Sequence, residues 1–347
     1  MIGGFTVERR GITAAGNFII DHVKVVDLWP DEGMLSIISE EKRANGGCAY
    51  NVLKDLAILK TGLPLYGIGL ISNDEDGKFI MEDMSKHGID SSMMRFSKDA
   101  RTSYTDVMTV KDTGNRTFFH HKGTSRCFSI DHIDFSAIKT NMFHIGYILL
   151  LDTLDGPDPE YGTQMARVLK TAKDKGLRTS VDVVSESSYR FNKIVLPVLK
   201  YTDYLILNEI EAGRTTGYEI REKTGGLDYM NLKKTLKTLM DSGESELVCI
   251  HFPEGAYAVK KGAGPHFVPS HSCPEGFIKS TVGAGDAFCG GMLYGIHEGW
   301  ELDRSMRFAN AMAAACLTGM TTSDGMKSME ETSKIMGELP LRDIVFE

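Results

Sequence analysis

The 347-residue chain predicts an α/β fold: a central, mostly parallel sheet flanked by helices, with a second, small β-sheet beside it. Three observations carry this. Beyond residue 130, runs rich in Ile, Leu and Val at 142–150, 177–184, 204–208 and 246–252 alternate with helical stretches at about 159–175, 189–199 and 228–242. Such alternation argues for parallel strands covered on both faces. Two earlier segments, about 22–45 and 101–121, interrupt the pattern with hairpin-like material. Third, a turn of small residues, Gly283-Ala284-Gly285, runs into Asp286 and a helix whose Phe288, Met292 and Ile296 recur every four residues.

The elements follow in order. Residues 11–20 read as a first strand with Gly16 near its end, and Asp21 stands where a strand-terminating turn residue is common. In 22–45, two apolar pieces are split by Pro30-Asp31-Glu32-Gly33. Asn45-Gly46-Gly47 then opens a helix with an apolar stripe of Ala49, Val52, Leu53, Leu56 and Ala57. Paired glycines there allow close backbone approach to a ligand, though a plain loop before a helix reads the same way. A strand at 62–72, a helix at 74–88 and a strand at 91–96 follow. Segment 101–121 reads as two strands about the turn 111–115. Adjacent His120 and His121 fall on opposite strand faces, which argues against a shared metal. With Lys122 and Arg126 they read first as polar residues of an exposed sheet. Parallel sheets bind ligands at the carboxyl ends of their strands. Asp182, Asn208, the loop after Phe252 and the turn before Asp286 all fall at such ends. The last helix expected is 301–319, with Asn310 inside it.

Composition narrows the class. Apolar content of 42% and charged content of 25% are those of a soluble globular protein. A net charge of −8 argues against a nucleic-acid surface. No segment reaches the ~18 apolar residues of a membrane span, and the start has no apolar signal core, so no membrane partner is expected. The six cysteines are scattered without zinc-ligand spacing and read as reduced thiols of a cytoplasmic protein.

Chemistry concentrates at 280–286. A small-residue turn at a helix N-terminus gathers backbone N–H groups where the helix dipole favours negative charge, a cradle for a phosphate oxygen. Asp286 could take a proton from a hydroxyl attacking that phosphate, or could simply cap the helix. The motif GAGDAFCGG, preceded by Ser280-Thr281-Val282, resembles the C-terminal signature of the ribokinase-like (PfkB) carbohydrate kinases. Gly46-Gly47 with Asn51, then Asn208 and Glu211, then GAGD occur in that family's order, over roughly 10–325.

The resemblance implies one ribokinase-like α/β domain over 1–347, with a small β-sheet lid from about 22–45 and 101–121. It implies ATP-dependent, Mg²⁺-requiring phosphorylation of a sugar hydroxyl. Gly283, Ala284 and Gly285 would form the anion hole and Asp286 the base. Asn17, Asp21, Gly46, Gly47 and Asn51 would meet the sugar. Asn208, Gly255 and Asn310 would border the nucleotide, and Glu211 would organise the metal. One of His120, His121, Lys122 and Arg126, or Arg116, could meet an anionic substrate group. Free edges of the lid sheet suggest a homodimer through it. Lys279-Ser280-Thr281-Val282 stands where many members have Asp-Thr-Thr, which puts monovalent-cation activation in doubt. That stretch is nearer to members acting on sugar phosphates, whereas the long lid insert is more typical of members acting on unphosphorylated sugars or nucleosides. An adenosine-like nucleoside kinase and a non-catalytic sugar- or nucleotide-binding regulator are the alternatives. A dinucleotide oxidoreductase would need a GxGxxG in the first strand-to-helix turn, which is absent.

Overall fold

The computed structural model describes residues 9–186 and 188–344. Strand β1 (Ile12–Gly16) is short because the chain is caught at Asn17. The Asn17 backbone N–H donates to the Gly146 carbonyl at 2.9 Å, and its side-chain oxygen accepts from the Tyr147 N–H. The single strand expected over 11–20 is thereby cut in two, and β2 (Ile19–Val26) leaves the main sheet. β3 (Ile38–Gly46) returns antiparallel to β2 and feeds α1 (Cys48–Ile58), which buries Val52, Leu53 and Leu56. β4 (Leu65–Ser72), α2 (Glu75–Lys86) and β5 (Arg95–Ser97) form a β-α-β unit. Asp74 caps α2 by accepting from the Gly77 N–H at 2.8 Å.

β6 (Tyr104–Val110) and β7 (Arg116–His121) make the second hairpin. Two 3₁₀ turns lead to β8 (Met142–Ile148), the one-turn α3 (Asp152–Asp155) and a small ribbon of β9 (Pro157–Asp158) and β10 (Gly162–Thr163). The regular part follows as α4 (Gln164–Asp174), β11 (Arg178–Val183), α5 (Phe191–Leu199), β12 (Tyr204–Asn208), α6 (Glu209–Thr216), α7 (Tyr229–Asp241) and β13 (Leu247–Phe252). The chain closes with β14 (Gly255–Lys260), β15 (His266–Pro269), α8 (Ala284–His297), α9 (Leu302–Cys316) and α10 (Met329–Glu338).

The large sheet has nine strands in the order β15-β14-β13-β12-β11-β8-β1-β4-β5. From β13 to β5 every pairing is parallel, and β14 runs against its two neighbours. Both faces are covered, and alternation along the strands decides which residue faces which layer. Ile206 and Cys249 join the apolar cluster of α1, α8 and α9, while Leu205, Leu207, Val248 and Ile250 join that of α4, α5 and α7. Segments 22–45 and 101–121 meet in a second sheet ordered β3-β2-β6-β7. Its outer pairs are antiparallel and its central pair, β2 with β6, is parallel.

Several elements were not expected: α3 and the β9–β10 ribbon precede α4, β15 adds an outer strand, and α10 follows the helix read as last, which stops at Cys316. Among the described residues, no helix is long and apolar enough to cross a membrane.

Candidate active site

The ends of β8, β11, β12 and β13, the start of α8 and one face of the small sheet converge on a cleft of about 640 Å³. Its floor is the turn before α8. Gly283 holds that turn with a left-handed φ of 84°, and a Cβ there would lie 2.5 Å from the Thr322 carbonyl oxygen. Helix α8 begins at Ala284, so the N–H groups of Ala284, Gly285 and Asp286 have no carbonyl four residues back. Asp286 therefore sits in the first turn and is not the N-cap; the capping alternative does not hold. Its carboxylate instead accepts from Asn51 Nδ2 at 2.7 Å, and from the Tyr147 hydroxyl at 2.9 Å to each oxygen. Burial raises its pKa, and the Asn51 and Tyr147 donors oppose that by favouring the ion.

The acceptor side of the cleft is built by β2 and α1. Asn51 is aimed by its neighbours: its Oδ1 accepts from Asn45 Nδ2 at 2.7 Å, and Asn45 Oδ1 accepts from Lys54 Nζ at 3.0 Å. Asp21 lines the cleft beside Gly47. Gly46 lies behind Asp21, and a Cβ on it would come within 2.4 Å of the Asp21 carboxylate. Burial, then the charge of Asp286, push the Asp21 pKa up to about 7. Asn17 does not line the cleft. It is fully buried behind it, holds the Tyr147 N–H, and keeps an unpartnered Nδ2.

Opposite stand Asn208 and Glu211, which close a capping box on α6: Asn208 Oδ1 accepts from the Glu211 N–H at 2.9 Å and Glu211 Oε2 from the Asn208 N–H at 3.0 Å. Ser185 donates to Glu211 Oε1 at 2.8 Å. Glu211 and Asp182 are buried carboxylates whose pKa values are raised, first by burial. One atom each of Cys48, Asp182 and Asp286 lie within 4.8 Å of one another. Buried carboxylates with no lysine or arginine among the residues lining the cleft suit a hard divalent cation. Cys48 Sγ also lies 3.0 Å from His144 Nε2, and His144 Nδ1 is 3.2 Å from Ser180 Oγ, so the cleft floor rests on a buried polar chain.

A second groove of about 290 Å³ adjoins the first, sharing His251, Thr281 and Gly285. Ile278, Phe288, Ala313 and Leu317 give it an apolar surface that fits a flat base, and Asn310 lines it while donating to the Pro269 carbonyl at 3.1 Å. Gly255 lines neither groove. A Cβ there would fall 2.5 Å from the Val268 carbonyl oxygen, so β15 packing requires the glycine.

The basic cluster of the small sheet divides. His120 lines the cleft with Nδ1 3.1 Å from Thr105 Oγ1, while His121 stacks on Tyr104 at 5.0 Å. Arg116 stands outside, donating to Ser280 Oγ and, at 3.4 Å, to the Met320 carbonyl. Arg126 is exposed and away from the cleft. Sequence reasoning missed Tyr147, Thr105 and Phe118 as lining residues. Tyr147 falls inside the run 142–150 read as a strand, where nothing in the sequence sets it apart.

The model of the pfkB family carbohydrate kinases matches residues 10–329. A 5-dehydro-2-deoxygluconokinase of Clostridium beijerinckii is 25% identical over 308 residues, covering 88% of this chain and 87% of that protein. A probable fructokinase-5 of Arabidopsis thaliana is 27% identical over 337 residues, covering 89% and 96%. The structure of Arabidopsis thaliana ribokinase complexed with ribose and ATP is similar with a TM-score of 0.76 at 20% identity, covering 95% of this chain and 99% of that one. With a match over most of its length and the ribokinase fold, the chain belongs to the pfkB family of carbohydrate kinases, phosphotransferases that act on a hydroxyl group.

Proposed function

We propose that this chain transfers the γ-phosphoryl group of ATP to a sugar hydroxyl held under the small sheet, with Asp286 as general base. The observation that carries the reading is the position of the Asp286 carboxylate. It is buried at the first turn of α8, between Asn51 on the acceptor side and the N–H groups of the first turn that follows Gly283. A hydroxyl bound by Asp21 would present its proton to Asp286, which takes it as the oxygen attacks phosphorus. The N–H groups of Ala284, Gly285 and Asp286 would stabilise charge on the transferring group. Asn51 and Tyr147 aim the carboxylate and oppose the upward push of burial on its pKa.

Asp182, Asn208 and Glu211 would hold Mg²⁺ directly or through water. When bound, the ion supplies charge neutralisation on the phosphates. The base would lie in the groove lined by Asn310. The small sheet excludes water when an acceptor is bound. Exposed Trp29, Leu35 and Ile37 in the connection from β2 to β3, with exposed Phe119 on β7, fit coverage by a second copy of the chain. Leu35→Glu should then shift sedimentation from dimer to monomer, and an unchanged profile would remove the dimer. The kinase reading is tested by ADP release from pure protein given ATP, Mg²⁺ and a panel of sugars. Sugar-dependent release is expected; a rate independent of every sugar counts against it.

A further inference from the structure

We propose, resting on the kinase reading above, that the acceptor is uncharged: a sugar or polyol carrying neither phosphate nor carboxylate, with one hydroxyl bound by His120. Among the described residues, no lysine or arginine lines the cleft, whereas Asp21, Asp182, Glu186, Glu211 and Asp286 do. The cations nearby are already answered by groups of the chain. Lys54 reaches Asp83 and Asn45, and Arg190 pairs with Glu186. Arg116, outside the lining, donates to Ser280 and the Met320 carbonyl, and its charge is balanced by Asp21. Asp286 already acts on Asp21 as a like charge across the acceptor end. A further anion about 5 Å from either would lose on the order of a hundredfold in affinity at an effective dielectric near 20. The N-terminus of α8 would answer the phosphoryl group of the nucleotide.

The acceptor end offers groups for hydroxyls instead. His120 Nε2 is buried with no hydrogen-bond partner, and the residue lines the cleft. Its Nδ1 is occupied by Thr105. Burial lowers its pKa to about 4, so the ring is neutral and offers one donor and one acceptor, the complement of a hydroxyl. Ile19, Phe118 and Leu150 give apolar surface against which the C–H face of a sugar can lie.

Calorimetry decides the class. Fructose, ribose and glucose are titrated against fructose 6-phosphate, ribose 5-phosphate and gluconate, with a non-hydrolysable ATP analogue and Mg²⁺ present. At least one neutral sugar should bind, with its anionic counterpart at least about tenfold weaker. An anion binding tighter than its neutral parent, or no binding by any neutral sugar, overturns the proposal. His120→Ala should raise the Kd of the neutral ligand roughly 3- to 15-fold with the melting temperature held, and His120→Gln should recover part of it. An unchanged Kd in the Ala variant overturns the role of His120. Phosphoryl transfer measured in parallel keeps the two readings apart: a neutral sugar that binds without being phosphorylated counts against the kinase reading and leaves the acceptor class standing.

Discussion

Replacing Asp21 with Asn should stabilise the ligand-free protein at alkaline pH while weakening acceptor binding. Asp21 is 9% exposed, backed by Gly46 and facing Asp286. Burial and the neighbouring charge raise its pKa from 3.8 to about 7. The unfolded chain loses that proton near 3.8, while the folded protein keeps it to about 7. Between those values the folded state binds more protons, so stability falls as pH rises through the window. Each unit is worth ~1.4 kcal/mol, giving a cost of ~4 kcal/mol once the group is ionised. Less than half of it has accrued by pH 5, so the gap between Asp21→Asn and parent should widen by ~2–3 kcal/mol from pH 5 to pH 8. Urea unfolding at the two pH values measures it, and using the difference removes the contributions of groups that do not face Asp21. Acceptor affinity should fall roughly 10- to 150-fold, the worth of a hydrogen bond to a charged group. A gap equal within ~0.5 kcal/mol at both pH values would show that Asp21 is not a strained buried carboxylate.

Two more outcomes follow from the same geometry. Tyr147→Phe removes a donor to both Asp286 oxygens and so raises the pKa of the base. The acid limb of kcat should move up by about one pH unit, and an unmoved limb would separate Tyr147 from the base. Glu211→Gln can still complete the capping box of α6, so the melting temperature should hold while half-maximal activity needs about tenfold more Mg²⁺. Superimposable Mg²⁺ titrations would leave Glu211 a structural residue.

The sheet was legible because its signal is local. Tyr204–Asn208 and Leu247–Phe252 are continuous apolar runs between helices, as strands buried on both faces must be. The GAGD turn was legible because it follows Gly46-Gly47 with Asn51, and Asn208 with Glu211, in the order of a known family; alone it reads equally as an ordinary helix start. The break at Asn17 was not, since 11–20 reads as one apolar run and the interruption is imposed by Gly146 and Tyr147, about 130 residues on. The role of Asp286 as cap or base could not be decided from spacing, because its partners Asn51 and Tyr147 lie 235 and 139 residues away. β15 escaped notice because four residues form a strand only against β14. Gly255 matched a family position, yet its neighbours explain it by packing. The two histidines were correctly split between faces, but only the fold shows that His120 is the one turned to the cleft.

Turnover of Asp286→Asn tests the central claim most directly. The amide keeps the shape of the side chain and a carbonyl oxygen for Asn51 or Tyr147, but it cannot accept the hydroxyl proton. Sugar-dependent ADP release should fall roughly 10²–10⁴-fold, the usual worth of a positioned base. Sugar affinity by calorimetry and the circular dichroism spectrum should be preserved. Near-parent turnover in a folded, sugar-binding Asn variant would contradict the account and remove Asp286 from the chemistry.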